Sequence, residues 1–347
     1  MSAVASSEWL WTAVDRILAQ EPSPDDLIGH RIQLLCARRW RDRGLEIPSW
    51  LAAEERLAAV TALTAPMVLD RIREACDGPV VLLKGPETAA FYPDPTLRRY
   101  WDIDVLVLDA PGAQRALEAS GWQPIGDPEA YDDLHHLRPL AHPALPLAVE
   151  VHDRPKWVDR LAPVEVGALF EAARPAVVDA DGIDALPPAH HALLLAAHSW
   201  SHEPFGRLRD VLDCGLVAAA ADQREIEALA AEWGLGRLWS RTRRAIDALA
   251  TGARLPRPLA WWARNIVTGR ERTVLESHLT RCLSPFEVLP PGRAMRAFGA
   301  ALVHTATPRD EPWRAKARRS ARALRNHGQR RSEHETDAEV RRPRPAA

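Results

Sequence analysis

Asp102-Ile103-Asp104 is the group of residues best suited to chemistry in this chain of 347 residues. It opens the stretch DIDVLVL, Asp102 to Leu108, which alternates polar and apolar before becoming wholly apolar. That is the pattern of a strand entering a core from a polar end. Alternate strand residues share a face, so the two carboxylates would point together. They repel, and burying both is costly unless a cation lies between them. Hard oxygen donors favour Mg²⁺ or Mn²⁺. Two such ions on shared carboxylates can activate an attacking oxygen and neutralise a triphosphate. The polar strand end predicts both carboxylates outside the core. The plainer alternative is a solvent-facing acidic pair.

A third carboxylate, Glu150, interrupts the apolar run Leu147 to Val151, either as a ligand or as an outward residue of a half-exposed strand. Upstream, Pro79 to Leu83 reads as a buried strand ending in Lys84-Gly85, just before a helix start at Pro86. Glycine lets a phosphate approach the backbone, a helix start attracts anions, and lysine adds a point charge. Arg98, four residues before Asp102, could reach the same phosphates. His198 and His202 lie one helical turn apart. Contact with a nucleotide or acceptor phosphate, structural hydrogen bonding, or a zinc site completed by His190 or His191 are all open to them.

These residues need elements to hold them. Residues 1–77 read as helices punctuated by Pro22, Pro24 and Pro48. Asp77-Gly78 begins a small α/β unit: strand, short helix, the loop Tyr92 to Arg99, the Asp102 strand, and a helix from Pro111 to Ser120. Strands over Leu134 to Leu140 and Leu147 to His152 follow. From Pro163 onward the chain reads as helical again, with helices predicted over Ala189–Ser201, Arg207–Ala221, Glu225–Trp233 and Leu238–Thr251. Thirteen tryptophans suit packing, with base stacking by Trp261, Trp262 and Trp313 as the alternative.

A formal net charge of −2 argues against a generic nucleic-acid binder. Cys36, Cys76, Cys214 and Cys282 are scattered, which disfavours a zinc knuckle or disulfide framework and suits a reducing compartment. The first twenty residues carry Glu8 and Asp15 and do not read as a signal peptide, and no long apolar run predicts a membrane span. A cytoplasmic protein is expected.

The stretch LLKGPETAAFYPDPTLRRYWDIDVLV resembles the uncharacterised nucleotidyltransferase family of the DNA-polymerase-β-like superfamily. The likeness continues through Gly121-Trp122, His135-His136, Val149-Glu150-Val151-His152, and the later set His198, His202, Leu208, Arg209 and Asp213. Lys84-Gly85 stands where the wider superfamily has Gly-Ser or Gly-Gly, and the bulky Trp101, where small residues are common, is expected to narrow the site.

The resemblance implies an α+β fold: a minimal nucleotidyltransferase mixed sheet with N- and C-terminal helical segments. It implies a helical segment over 1–77, the α/β core over 78–160, a helical domain over 161–307 and a basic tail over 308–347. It implies that Asp102, Asp104 and Glu150 hold Mg²⁺ or Mn²⁺, and that Lys84, Gly85, Arg98, His198 and Arg209 bind nucleotide, with His152 supporting Glu150. The activity implied is NMP transfer from an NTP to a hydroxyl of a small molecule, a peptide or protein, or an RNA end. The alternative is a non-catalytic nucleotide- or partner-binding protein with the same fold. The tail, with Arg314, Lys316, Arg318 and Arg319 among its cations, reads either as a disordered polar terminus or as a contact for RNA or an acidic partner.

Overall fold

The computed structural model describes residues 3–131, 134–158, 161–178 and 180–304, with 314, 318, 321, 325 and 327–330. Within these, one mixed sheet lies between helices. Its strands are β1 (Val80–Leu82), β2 (Asp102–Val107), β3 (Gln123–Pro124), β4 (Leu140–Ala141), β5 (Ala148–His152), β6 (Arg174–Pro175) and β7 (Asp184–Ala185). The order is β3-β4-β5-β2-β1-β7-β6. β2 runs antiparallel to β1 and parallel to β5, and β7 runs parallel to β1. This is an α+β architecture.

Strand alternation divides the sheet's residues between two faces. Val80, Leu82, Ile103, Val105, Val149 and Val151 join one core with Val68, Leu69 and Ile72 of the helix Leu51–Ala75. The intervening Val81, Leu83 and Leu106 pack on the other face with Leu169, Leu186 and Leu194, the last from the helix Pro188–His202. Asp102, Asp104, Glu150 and His152 therefore look toward that second layer.

The sheet draws β6 and β7 from residues 174–185, beyond the 78–160 stretch. The N-terminal helices also share a core with the C-terminal half: Leu10, Val14 and Leu35 pack in one cluster with Val211, Leu238 and Trp262. The strand expected over Leu134–Leu140 is reduced to β4 and a single bridge, His136 to His152. Pro139 and the turn residues around it break the ladder there. Trp262 is fully buried against Phe205, so packing, not base stacking, is its role. Trp261 is about half exposed, and Trp313 lies outside the described residues.

Most of the basic tail also lies outside the described residues. Residues 327–330 fold back on the helical half, where Arg330 Nη2 donates to Asp26 Oδ2 at 3.1 Å and Gln329 O accepts from Val274 N. No helix among the described residues is long and apolar enough to cross a membrane.

Candidate functional site

The parallel register of β2 and β5 builds the site. Asp102 faces Ala148, Asp104 faces Glu150, and Leu106 faces His152. Side chains opposite each other in adjacent strands are neighbours, so Asp104 and Glu150 form a cross-strand pair of like charges. Asp104 is 1% exposed, so the expectation that both aspartates stand outside the core holds only toward the strand's polar start, where Asp102 is half-buried. The strand carries Asp104 one pleat deeper, beneath the second helical layer.

Two groups meet on Asp104. Lys84 Nζ lies 3.0 Å from its Oδ1, and His152 Nε2 donates to the same oxygen at 3.1 Å. Lys84 also donates to His198 Nε2 at 3.1 Å. Burial works to raise the Asp104 pKa, but Lys84 and His152 outweigh it and hold the carboxyl well below the usual range. Glu150 has no such cation in contact. Burial, then the nearby Asp104 and Asp102, push it up to about 8. Its Oε2 lies 3.8 Å from His152 Nε2 and 3.9 Å from His136 Nε2. His152 was expected to support Glu150, but its hydrogen bond goes to Asp104, because the register puts it one residue pair beyond Glu150 on the same face.

Gly85 makes the approach of these strands possible. Its φ of +69° is a left-handed value, and a Cβ there would lie 3.1 Å from Asp102 O. Both facts exclude a side chain at low cost. Arg98 serves the same turn. Its Nη1 donates to Gly85 O at 3.1 Å, while Nε and Nη2 each donate to Asp213 at 2.8 Å. Tyr92 donates its hydroxyl to Asp213 at 2.7 Å. Arg98, 5% exposed, thus braces the Lys84-Gly85 turn against the helix Leu208–Ala219, and it also lines the cavity above that turn.

A cavity of about 820 Å³ opens over these residues, lined by Lys84, Gly85, Asp102, Asp104, Glu150 and His198 among others. Arg209 also lines it, donating Nη1 to Arg99 O at 3.0 Å while its Nε is buried without a hydrogen-bond partner. Tyr100 lines the cavity, but Trp101 does not. Trp101 lies on the opposite side of the strand start with the Arg99 guanidinium 3.1 Å from its ring centre, so it does not narrow the site. His191 is buried on Leu83 O and Thr88, His190 packs on Trp233, and the His202 side chain lies outside the described residues. The described histidines of that helix therefore form no zinc site.

Among the described residues, the group able to hold a metal ion is Asp104, Glu150 and His152, with ligand atoms all within 4.8 Å of one another. Asp102 adds a fourth donor on the same face. The donor set fits a hard divalent cation: its carboxylate oxygens outnumber its one nitrogen, and Glu150 lacks a compensating cation. His136 of the His135-His136 pair also lines the cavity, as do Arg31 and Arg207, which no motif marks. Arg31 sits in a segment whose apolar spacing signals only scaffold, and nothing local marks it.

The family model described as uncharacterised nucleotidyltransferase matches residues 27–250. No curated protein and no solved structure matches the chain.

Proposed function

Because the chain belongs to the uncharacterised nucleotidyltransferase family, we propose that it transfers the NMP group of an NTP to a hydroxyl acceptor, with Mg²⁺ or Mn²⁺ held by Asp102, Asp104 and Glu150. The observation that carries this reading is the register that sets Asp104 opposite Glu150 inside the cavity. A like-charge pair there is unfavourable unless a cation or proton joins it. A bound Mg²⁺ would supply charge to the phosphoryl oxygens and lower the pKa of the acceptor hydroxyl.

The chain's own side chains set the geometry. Lys84 and His152 hold the Asp104 carboxylate in one orientation. His198 fixes Lys84 in turn. Gly85 lets the Lys84-Gly85 turn close on the Asp102 backbone, which sets Lys84 beside the carboxylates. In the reaction, the acceptor oxygen bonds to the α-phosphorus, the bond from that phosphorus to the bridging oxygen breaks, and pyrophosphate leaves. Glu150, whose Oε2 lies beside His136 and His152, or Asp104 takes the acceptor's proton. Positioning and preorganised charge supply most of the rate. The acceptor is a small molecule, a peptide or protein, or an RNA end.

The test is a thermal-shift series with each of four NTPs and Mg²⁺ on wild type and Asp102→Asn. Asp102 makes no side-chain contact that holds the fold, so the variant is expected to fold. Stabilisation of wild type alone supports the reading and identifies the base. Equal stabilisation of both proteins would remove Asp102 from the metal site, and no shift with any NTP would favour a non-catalytic binding protein.

A further inference from the structure

Across the cavity from the carboxylates stands a group of arginines that the fold collects at some cost. Arg31 has φ +56°, a left-handed value unusual for a non-glycine residue. Such a residue persists only where its surroundings over-determine it, and such sites concentrate at ligand clamps. His30 provides the restraint. Its Nε2 donates to Arg270 O at 2.9 Å, its Nδ1 accepts from Leu208 N at 3.2 Å, and its backbone O accepts from Arg209 N at 3.2 Å. This grip ties the Arg31 turn to the first residues of the helix Leu208–Ala219, for which Arg207 is the N-cap.

Arg31, Arg207 and Arg209 all line the cavity. Among the described residues, neither Arg31 nor Arg207 makes a side-chain hydrogen bond or ion pair, and Arg209 Nε is buried without a hydrogen-bond partner. Asp210 has its Oδ1 4.0 Å from that nitrogen. Burial, then Arg209 and Arg207, lower the Arg31 pKa to about 10, while Asp210 and Asp102 raise it. Arg31 is thus within electrostatic reach both of the other arginines and of the first metal-site carboxylate. Three neighbouring planar guanidiniums with unused donors, one on a strained backbone, match the charge-dense oxygens of phosphate.

We propose that Arg31, Arg207 and Arg209 form a phosphate-binding wall facing Asp102, Asp104 and Glu150, which takes the triphosphate of the donor or a phosphate on the acceptor. The inference rests on the nucleotidyl-transfer reading and adds Arg31 and Arg207 to the cations expected to meet phosphate. Two phosphate sources share this chemistry, and different probes separate them.

The experiment is calorimetric titration of inorganic tripolyphosphate, inorganic phosphate and Mg²⁺–NTP into the full chain, for wild type, Arg31→Gly and Arg207→Ala. Glycine accepts φ +56° without strain, so Arg31→Gly is expected to melt at or above the wild-type temperature. Arg207 is exposed, so its truncation leaves the fold intact. Tripolyphosphate binding is expected to weaken about tenfold or more in each variant, the loss of a charged hydrogen-bonding group. Equal weakening for Mg²⁺–NTP identifies the donor triphosphate. Weakening for inorganic phosphate with unchanged Mg²⁺–NTP binding identifies a phosphate-bearing acceptor. Folded variants that bind all three probes as wild type does would overturn the proposal. Asp102→Asn separates the two levels: if it leaves Mg²⁺–NTP binding unchanged while the arginine variants weaken tripolyphosphate, the metal assignment of the transfer reading fails at Asp102 and the phosphate wall stands. If only Asp102→Asn has an effect, the reverse holds.

Discussion

Asp213→Ala tests whether Arg98 is a brace or a ligand. Asp213 is 3% exposed and accepts three hydrogen bonds, two from Arg98 and one from Tyr92. Removing it leaves a guanidinium buried without its counter-charge, which costs about 3–5 kcal/mol. The Tyr92 hydroxyl also loses its acceptor, a further penalty of about 1–3 kcal/mol for a buried donor. The groups share one network, so these figures do not add. A loss of about 4 kcal/mol is expected, a large fraction of the roughly 5–15 kcal/mol that stabilises most domains. Arg98→Met with Asp213→Leu removes both charges and should cost less than Asp213→Ala alone. Urea unfolding at neutral pH reads both variants, with the midpoint shifting at constant slope. If Arg98 were instead a phosphate ligand held in reserve, Asp213→Ala would free it, leave stability nearly unchanged and tighten tripolyphosphate binding. A loss below about 1 kcal/mol would refute the brace and with it the account of how the Lys84-Gly85 turn is held.

Two predictions concern protons. His30 is buried with its pKa lowered to about 4, first by burial, and its Nδ1 accepts from Leu208 N, so a proton there would meet a donor. The unfolded histidine titrates near 6.5, so between those values the unfolded state holds more protons and stability falls as pH falls. From pH 7 to pH 5 wild type should lose about 2 kcal/mol relative to His30→Gln in urea unfolding. Comparison with that variant cancels Glu150, whose raised pKa acts in the opposite direction, and equal losses in the two proteins would contradict the assignment. Glu150, at about 8, must release its proton to bind a cation. Mg²⁺ affinity should therefore fall up to about tenfold per unit as pH drops below 8, and a dissociation constant unchanged between pH 6 and pH 9 would exclude Glu150 as a ligand.

The carboxylates were legible because alternation is a local property. DIDVLV and AVEVH each show their buried face in their own spacing, and Lys84-Gly85 is marked by the apolar run before it. What those residues touch was not legible, because it depends on register and on distant chain. Only the pairing of β2 with β5 shows that His152 reaches Asp104 rather than Glu150. The brace formed by Arg98 was not legible because its partner, Asp213, lies 115 residues away. β6 and β7, with two residues each, are too short to show a period. The basic stretch Arg314–Arg331 drew attention by density, whereas Arg31 and Arg207, isolated in sequence, meet only in the fold.

The residues that meet there fall within the matched family region. A nucleotidyl site limited to metal carboxylates would need little beyond the sheet, yet the match runs over residues 27–250. It begins just before His30 and Arg31 and ends within the last turn of the helix Gly236–Thr251, which packs beside the helix carrying Arg209 and Asp213. The cavity has an acidic floor on β2 and β5 and a basic wall that neither the N-terminal segment nor the C-terminal helices can build alone. The shared core of Leu10, Val14 and Leu35 with Val211 and Leu238 makes those two segments one packing unit. Interiors transmit strain because they are close-packed. A cavity-forming substitution at Leu35 is thus connected through that core to the position of Arg31. The helical flanks are then part of the phosphate-binding apparatus as well as a scaffold for the sheet.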